Sequence, residues 1–161
     1  MIIGRPGSGK STFAVALGKK WSIPVYHLDK YFFESDWKER DYESFLKDQQ
    51  DLVSQNQWII DGNAIQSFEM RYSKADLCLY FNFPKPLCYW RVLKRLFKKD
   101  TDIDDRANNC QERVRWSLLK YMWHFEDRVS ARLEELKNNY PNVRYIELHN
   151  DKDVMNLFDV L

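Results

Sequence analysis

No stretch of this chain is apolar for more than a few residues, far short of the roughly 20 that cross a bilayer, which excludes a membrane-spanning helix. The start, Met-Ile-Ile before a glycine, does not read as a signal peptide. Cysteine is scarce. Cys78, Cys88 and Cys110 show neither CxxC nor metal-ligand spacing, so free thiols in a reducing cytoplasm are expected. Cys78 and Cys88 stand in apolar surroundings and read as small core residues. An excess of either charge is also missing: 25 Lys and Arg face 24 Asp and Glu. That balance argues against a protein that holds DNA through a broad basic surface, and so against nucleic acid as its main partner. It leaves room for a local anion site, which depends on where charges converge. Repeats, low-complexity tracts and Gly/Ser linkers are absent, and 161 residues suit one domain with a single core.

Rings are plentiful at 16% of the chain, so an aromatic core or ring-lined ligand surfaces are expected. Met1 to Ile3 reads as a short buried strand stopping at Gly4, and Lys10 to Lys20 as a helix carrying Phe13, Leu17 and Trp21 on one face. Further strands are expected at Pro24 to Leu28, Gln57 to Asp61, Asp76 to Phe83 and Val143 to Leu148. Helices are expected from Tyr42 to Val53, from Leu87 to Lys99 behind Pro84 and Pro86, and from Val154 to Leu161. The longest is expected from Gln111 to Asn138, striped by Val114, Leu118, Tyr121, Phe125, Val129 and Leu136. Trp116, Trp123 and Phe125 on it read as packing residues. A charged segment near 98–110 reads as a loop. Strands alternating with helices predict an α/β fold of three layers, a five-stranded parallel sheet covered on both faces.

One motif carries chemistry. Gly4-Arg5-Pro6-Gly7-Ser8-Gly9-Lys10-Ser11 satisfies GxxxxGK[ST] between a strand and a helix, the context that a phosphate-binding P-loop requires. Glycines let backbone N–H groups turn inward around phosphate oxygens, and the helix N-terminus adds partial positive charge. Lys10 would reach the β- and γ-phosphates of ATP, the Ser11 hydroxyl would ligate Mg²⁺, and Thr12 follows in the same turn. No Asn-Lys-x-Asp motif that reads guanine is present, and the chain is too short for a motor, which leaves small P-loop kinases.

Beyond the loop, the segments IPVYHLDKYFF (Ile23 to Phe33), WIIDGN (Trp58 to Asn63), FPKPLCYWRVLKRL (Phe83 to Leu96) and the Trp-rich long helix follow in order over nearly the whole chain. With GRPGSGKS they resemble the DNA topology modulation family, small P-loop proteins related to adenylate kinase. The resemblance implies an adenylate-kinase-like P-loop fold and nucleotide phosphoryl transfer, with ATP and Mg²⁺. It implies Asp29, after the second strand, as the group accepting a proton from the attacking hydroxyl. It also implies Asp61 as the carboxylate holding a water of the Mg²⁺ shell, with Gly62 and Asn63 beside the acceptor. Arg91 would stack on adenine, Arg95 would reach the phosphates, and Arg71 would grip the acceptor. The segment 98–110 corresponds to the lid, where relatives tend to carry Arg-Pro-Asp. Here the chain reads Asp102-Ile103-Asp104-Asp105-Arg106, so Arg106 or Arg113 would have to compensate.

Plainer roles remain open for these residues. Asp29 could cap a turn, Asp61 could merely end a strand, Arg91 and Arg95 could belong to a solvated helix face, and Arg71 could be a surface charge. Tyr31, Phe32, Phe33 and Trp37 could line an acceptor pocket or fill the core. His27, His124 and His149 show no ligand spacing. Three functions are compatible with the sequence: a kinase acting on a hydroxyl of a nucleoside-like small molecule, a nucleoside monophosphate kinase, or an ATP-binding regulatory protein linked to DNA topology. The chain could act as a monomer or a homodimer.

Overall fold

The computed structural model describes residues 1–33, 38–97 and 116–161, with the side chains of 96 and 97 excepted. The expected lid, about 98–110 with Ile103 and Arg106, lies outside these residues, as do Arg113, Cys110 and Trp37. Five strands form one all-parallel sheet: β1 (Ile2–Gly4), β2 (Val25–His27), β3 (Ile59–Asp61), β4 (Leu77–Phe81) and β5 (Arg144–Leu148), in the order β2-β3-β1-β4-β5. The short apolar runs explain the strand placement. A parallel strand covered on both faces is apolar throughout, and β1 and β3 are buried at every position.

Side chains alternate across the sheet and divide the core. Ile2, Ile59, Leu79 and Phe81 face one layer, packed with Phe13, Leu17, Cys88, Val92, Met122 and Leu157. Those partners come from α1 (Lys10–Trp21), α5 (Lys85–Phe97), α6 (Trp116–Trp123) and α8 (Asp151–Val160). On the opposite face, Ile3, Cys78 and Tyr80 meet Phe68, Tyr72, Phe125, Val129, Leu133 and Leu136. These belong to α4 (Phe68–Tyr72) and α7 (Phe125–Asn139). Beside them Ile60 packs with Leu28 of α2 (Leu28–Phe32) and with Phe45 and Leu52 of α3 (Tyr42–Val53). The α/β three-layer expectation is met. Among the described residues no helix is long and apolar enough to cross a membrane.

Local chemistry sets the helix starts. Asp41 caps α3, its carboxylate accepting from the Ser44 N–H at 2.9 Å, and Asn150 caps α8 by accepting from the Asp153 N–H at 3.0 Å. Two short helices, α2 and α4, carry too few residues for a periodic signal and fall where the sequence offered none.

The long helix differs from expectation. Within the described residues it is two helices, α6 and α7, with His124 at the junction in a non-helical turn (φ −93°, ψ 8°). The break coincides with the Met122 carbonyl, which accepts a 2.9 Å bond from Arg5 Nε. The packing expectation also fails for two of its residues. Trp116 and Trp123 are 86% and 56% exposed, whereas Phe125 is fully buried. Apolar type alone does not report which way a helix face turns.

Candidate active site

The P-loop joins β1 to α1 at the carboxyl edge of the sheet, where ligands of open α/β folds bind. Gly7 has φ 85°, and a β-carbon there would collide with the Cys88 carbonyl on α5, so the loop lies against that helix only because residue 7 is glycine. Gly9 is the N-cap of α1 at φ 90° and offers no side-chain cap. The first turn of α1 contains no acidic residue, so its N–H groups and dipole are presented to an anion.

Arg5 does not belong to the ligand surface. It is 2% exposed; its guanidinium donates to the Met122 carbonyl (2.9 Å), to the Phe83 carbonyl (2.7 Å) and to Glu126 Oε2 (3.4 Å). Its backbone carbonyl accepts from the Ser8 N–H at 3.1 Å, closing the loop's turn. The expected role in holding ATP therefore narrows to the backbone.

Asp61 ends β3 beside the P-loop, 3% exposed. Its Oδ2 lies 3.0 Å from His27 Nδ1 at the end of the neighbouring strand, where His27 and Asp61 are register partners. Burial would raise the Asp61 carboxyl, but Lys10, the His27 hydrogen bond and Ser11 together hold it below its usual value. Asp61 is therefore a buried carboxylate facing the P-loop lysine and serine. Its Oδ1 has no hydrogen-bond partner. Two hard oxygen donors, Ser11 and Asp61, with the phosphates and water completing the shell, fit the way Mg²⁺ is bound in nucleotide sites. No group of three or more His, Cys, Asp and Glu that could hold a metal exists among the described residues, so a dedicated all-protein cage is not what these residues build.

Three residues expected at the acceptor are engaged elsewhere. Arg71 is fully buried: it donates to the carbonyls of Gly62 (3.0 Å) and Ala64 (2.8 Å) and stacks over Phe68, 5.2 Å from the ring centre. Burial lowers its pKa to about 10, and it stays cationic at neutral pH. It braces the turn after β3. The Asn63 amide pairs with the Gly4 backbone in both directions, accepting from the N–H at 3.1 Å and donating to the carbonyl at 2.8 Å. The loop's first glycine is thereby fixed to the end of β3. Gly62 has φ 148°, and a β-carbon would stand 2.6 Å from Leu28 Cβ, so its close neighbour is Leu28.

Asp29 is exposed on α2, one residue beyond the Leu28 that follows β2. Tyr121 of α6 has its pKa pushed up to about 12 by burial and, next, by the charge of Asp29. Tyr31 and Phe32 pack with Phe45 and Ile60 in the core, and Phe33 stacks edge-on against Phe32 at 4.8 Å.

On the other side of the loop lies a cleft of about 770 Å³, whose walls include Gly7, Thr12, Phe13, Trp90, Arg91 and Arg95. Arg91 donates to both Asp151 oxygens (2.8 and 2.6 Å), lies 5.3 Å from the Phe83 ring centre and approaches the Ser8 carbonyl at 3.4 Å. The structure thus brings Arg91 and Arg95 to one cleft with the P-loop. Two partners escaped the sequence reading. His27 has no motif spacing to Asp61 because they meet only through strand register, and Asp151 meets Arg91 only through the docking of α8 on α5.

No model of a protein family matches the chain, and comparison with curated proteins returns no relative. Solved structures do match. Shikimate kinase from Bacteroides thetaiotaomicron is 14% identical with TM-score 0.55, the match covering 99% of this chain and 95% of that one. The chain has a P-loop kinase fold. Deoxyadenosine kinase from M. mycoides is 13% identical with TM-score 0.53, over 99% of this chain and 97% of its own. An uncharacterized protein from Eubacterium ventriosum is 14% identical with TM-score 0.52, over 99% and 95%. At such identity the likeness concerns the P-loop kinase fold alone, and what the site does rests on its own residues.

Proposed function

We propose that this chain is an ATP- and Mg²⁺-dependent phosphotransferase that acts on a hydroxyl of a nucleoside-like small molecule. The observation that carries the reading is the convergence of Lys10, Ser11 and the buried Asp61 carboxylate at the N-terminus of α1. The 770 Å³ cleft beside Gly7 to Gly9 supplies room for the donor nucleotide, with Arg91 and Arg95 on its wall. The resemblance to the DNA topology modulation family, carried by HLDK and WIIDGN, belongs to this proposal, as does one catalytic domain over residues 1–161.

In this reading the backbone N–H groups of the loop and the dipole of α1 hold the phosphates, and Lys10 pairs with the β- and γ-oxygens. Mg²⁺ held by Ser11 and the Asp61 carboxylate would neutralise charge on the transferring phosphoryl group. Asp29 accepts the proton of the acceptor hydroxyl as its oxygen bonds to the γ-phosphorus. The bond from that phosphorus to the β,γ-bridging oxygen breaks, and ADP leaves. Arg95 counters charge on the phosphates.

A hydroxyl acceptor is preferred over a nucleoside monophosphate for a specific reason. A phosphate acceptor calls for several converging arginines, and Arg71 spends its guanidinium on two carbonyls inside the fold. The test is ADP release from Mg-ATP against pooled nucleosides, nucleoside monophosphates and sugars, with Lys10→Ala as the blank. Stimulation by nucleosides or sugars, lost in the blank and reduced at least tenfold in Asp29→Asn, is expected. Stimulation by monophosphates alone would move the reading to a monophosphate kinase. Every pool at the blank level, with ATP still bound, would overturn transfer and favour an ATP-binding regulator.

A further inference from the structure

Nothing in a P-loop requires a histidine at the end of the second strand, yet His27 is 7% exposed there and makes a 3.0 Å contact with Asp61. The contact is specific in its atoms. It uses Nδ1 of the ring and Oδ2 of the carboxylate, and it leaves Oδ1, equally buried, without a partner. An aspartate carboxylate only accepts, so the hydrogen in this contact comes from the ring, and Nδ1–H donates. A carboxylate with two rotatable bonds and one fixed oxygen has its other oxygen fixed too. The strand register fixes the ring in turn, because His27 and Asp61 lie side by side on parallel strands.

We propose that His27 is a positioning residue for the metal: by donating Nδ1–H to Oδ2 of Asp61 it directs Oδ1 to the place, next to Ser11, where Mg²⁺ and its water shell are held with the nucleotide. This rests on the functional reading above and adds to it the group that orients the metal's carboxylate. Outer hydrogen bonds of this kind fix a ligand's direction and basicity, and their removal typically lowers metal affinity about 10–100-fold. Asparagine can offer an amide N–H near the position of Nδ1, whereas leucine fills the volume and donates nothing.

The experiment measures ADP binding by calorimetry with and without Mg²⁺ for wild type, His27→Asn and His27→Leu. The wild type should bind ADP more tightly with Mg²⁺. His27→Leu should lose that advantage by roughly 10-fold or more while keeping its affinity for metal-free ADP, and His27→Asn should restore most of it. An equal Mg²⁺ advantage in wild type and His27→Leu overturns the inference and leaves the phosphotransferase reading intact. Failure of the wild type to bind ADP at all overturns both. A second measurement needs no variant: long-range ¹H–¹⁵N spectra of ¹⁵N-histidine protein should show the buried ring of His27 with its proton on Nδ1. A ring with bare Nδ1 overturns the inference even where His27→Leu does not fold.

Discussion

Replacing Arg71 by methionine keeps much of the side chain's length and removes every donor. The Gly62 and Ala64 carbonyls then lose partners at 3.0 and 2.8 Å, the first buried and the second partly buried. Leaving a buried polar group unsatisfied costs about 1–3 kcal/mol and a partly buried one less, so the pair amounts to roughly 2–5 kcal/mol. The lost stacking on Phe68 adds about 1 kcal/mol. Against this stands relief, because a guanidinium held away from water carries a desolvation cost of several kcal/mol that disappears with it. At mid-range the losses total about 4–5 kcal/mol and the relief returns about 2–3, which leaves a net loss of about 2 kcal/mol. With a urea slope near 2 kcal/mol/M, the unfolding midpoint should fall by about 1 M. Urea denaturation followed by tryptophan fluorescence measures it, and Arg71→Lys, with one donor group for two carbonyls, should fall in between. The decisive comparison is with acceptor kinetics. A midpoint within about 0.2 M of wild type, accompanied by a raised KM for the acceptor, would refute the bracing role and return Arg71 to the ligand.

Phe45→Ala in the α3 core, where the ring is 1% exposed and packs edge-on at 5.0 Å from Phe32, should destabilise the protein by about 3–5 kcal/mol in the same denaturation assay. Burial raises both described thiols, Cys78 to about 11, so no more than one thiol per native chain should react with Ellman's reagent at pH 8, against all three in guanidinium. Glu69 is held below the ordinary glutamate value, first by the Tyr140 hydroxyl and then by Arg132. A lowered carboxyl stabilises the fold above its unfolded pKa, and that contribution disappears as pH falls through the folded value. Glu69→Gln should therefore flatten part of the decline in thermal midpoint below about pH 4.5.

What the chain discloses before folding follows the range of the interaction. GRPGSGKS is legible because its chemistry is local: the turn, the lysine and the helix start are contiguous, and the structure joins them as β1, loop and α1. The alternation of strands and helices was equally legible, since burial on both faces writes itself into each short apolar run. Long-range partnerships were not. Arg71 and Asn63 look like polar residues bound for a ligand, and only the folded turn after β3 shows their partners to be backbone groups of Gly62, Ala64 and Gly4. The pairing of His27 with Asp61 spans 34 positions and depends on which strands are neighbours. Trp116 and Trp123 mislead in the opposite sense, as large rings that the fold leaves in water.

Arg5 has a consequence for the order in which the cradle can be completed. Its guanidinium bonds reach 78, 117 and 121 positions down the chain, to Phe83, Met122 and Glu126. In synthesis from the N- to the C-terminus the phosphate loop emerges well before Phe83, Met122 and Glu126, the groups that fix its second residue. A nascent chain carrying β1 and α1 but not yet α7 has the motif with its arginine unanchored. The loop's arginine has all its anchors only once α7 has been made, with β5 and α8 still to follow.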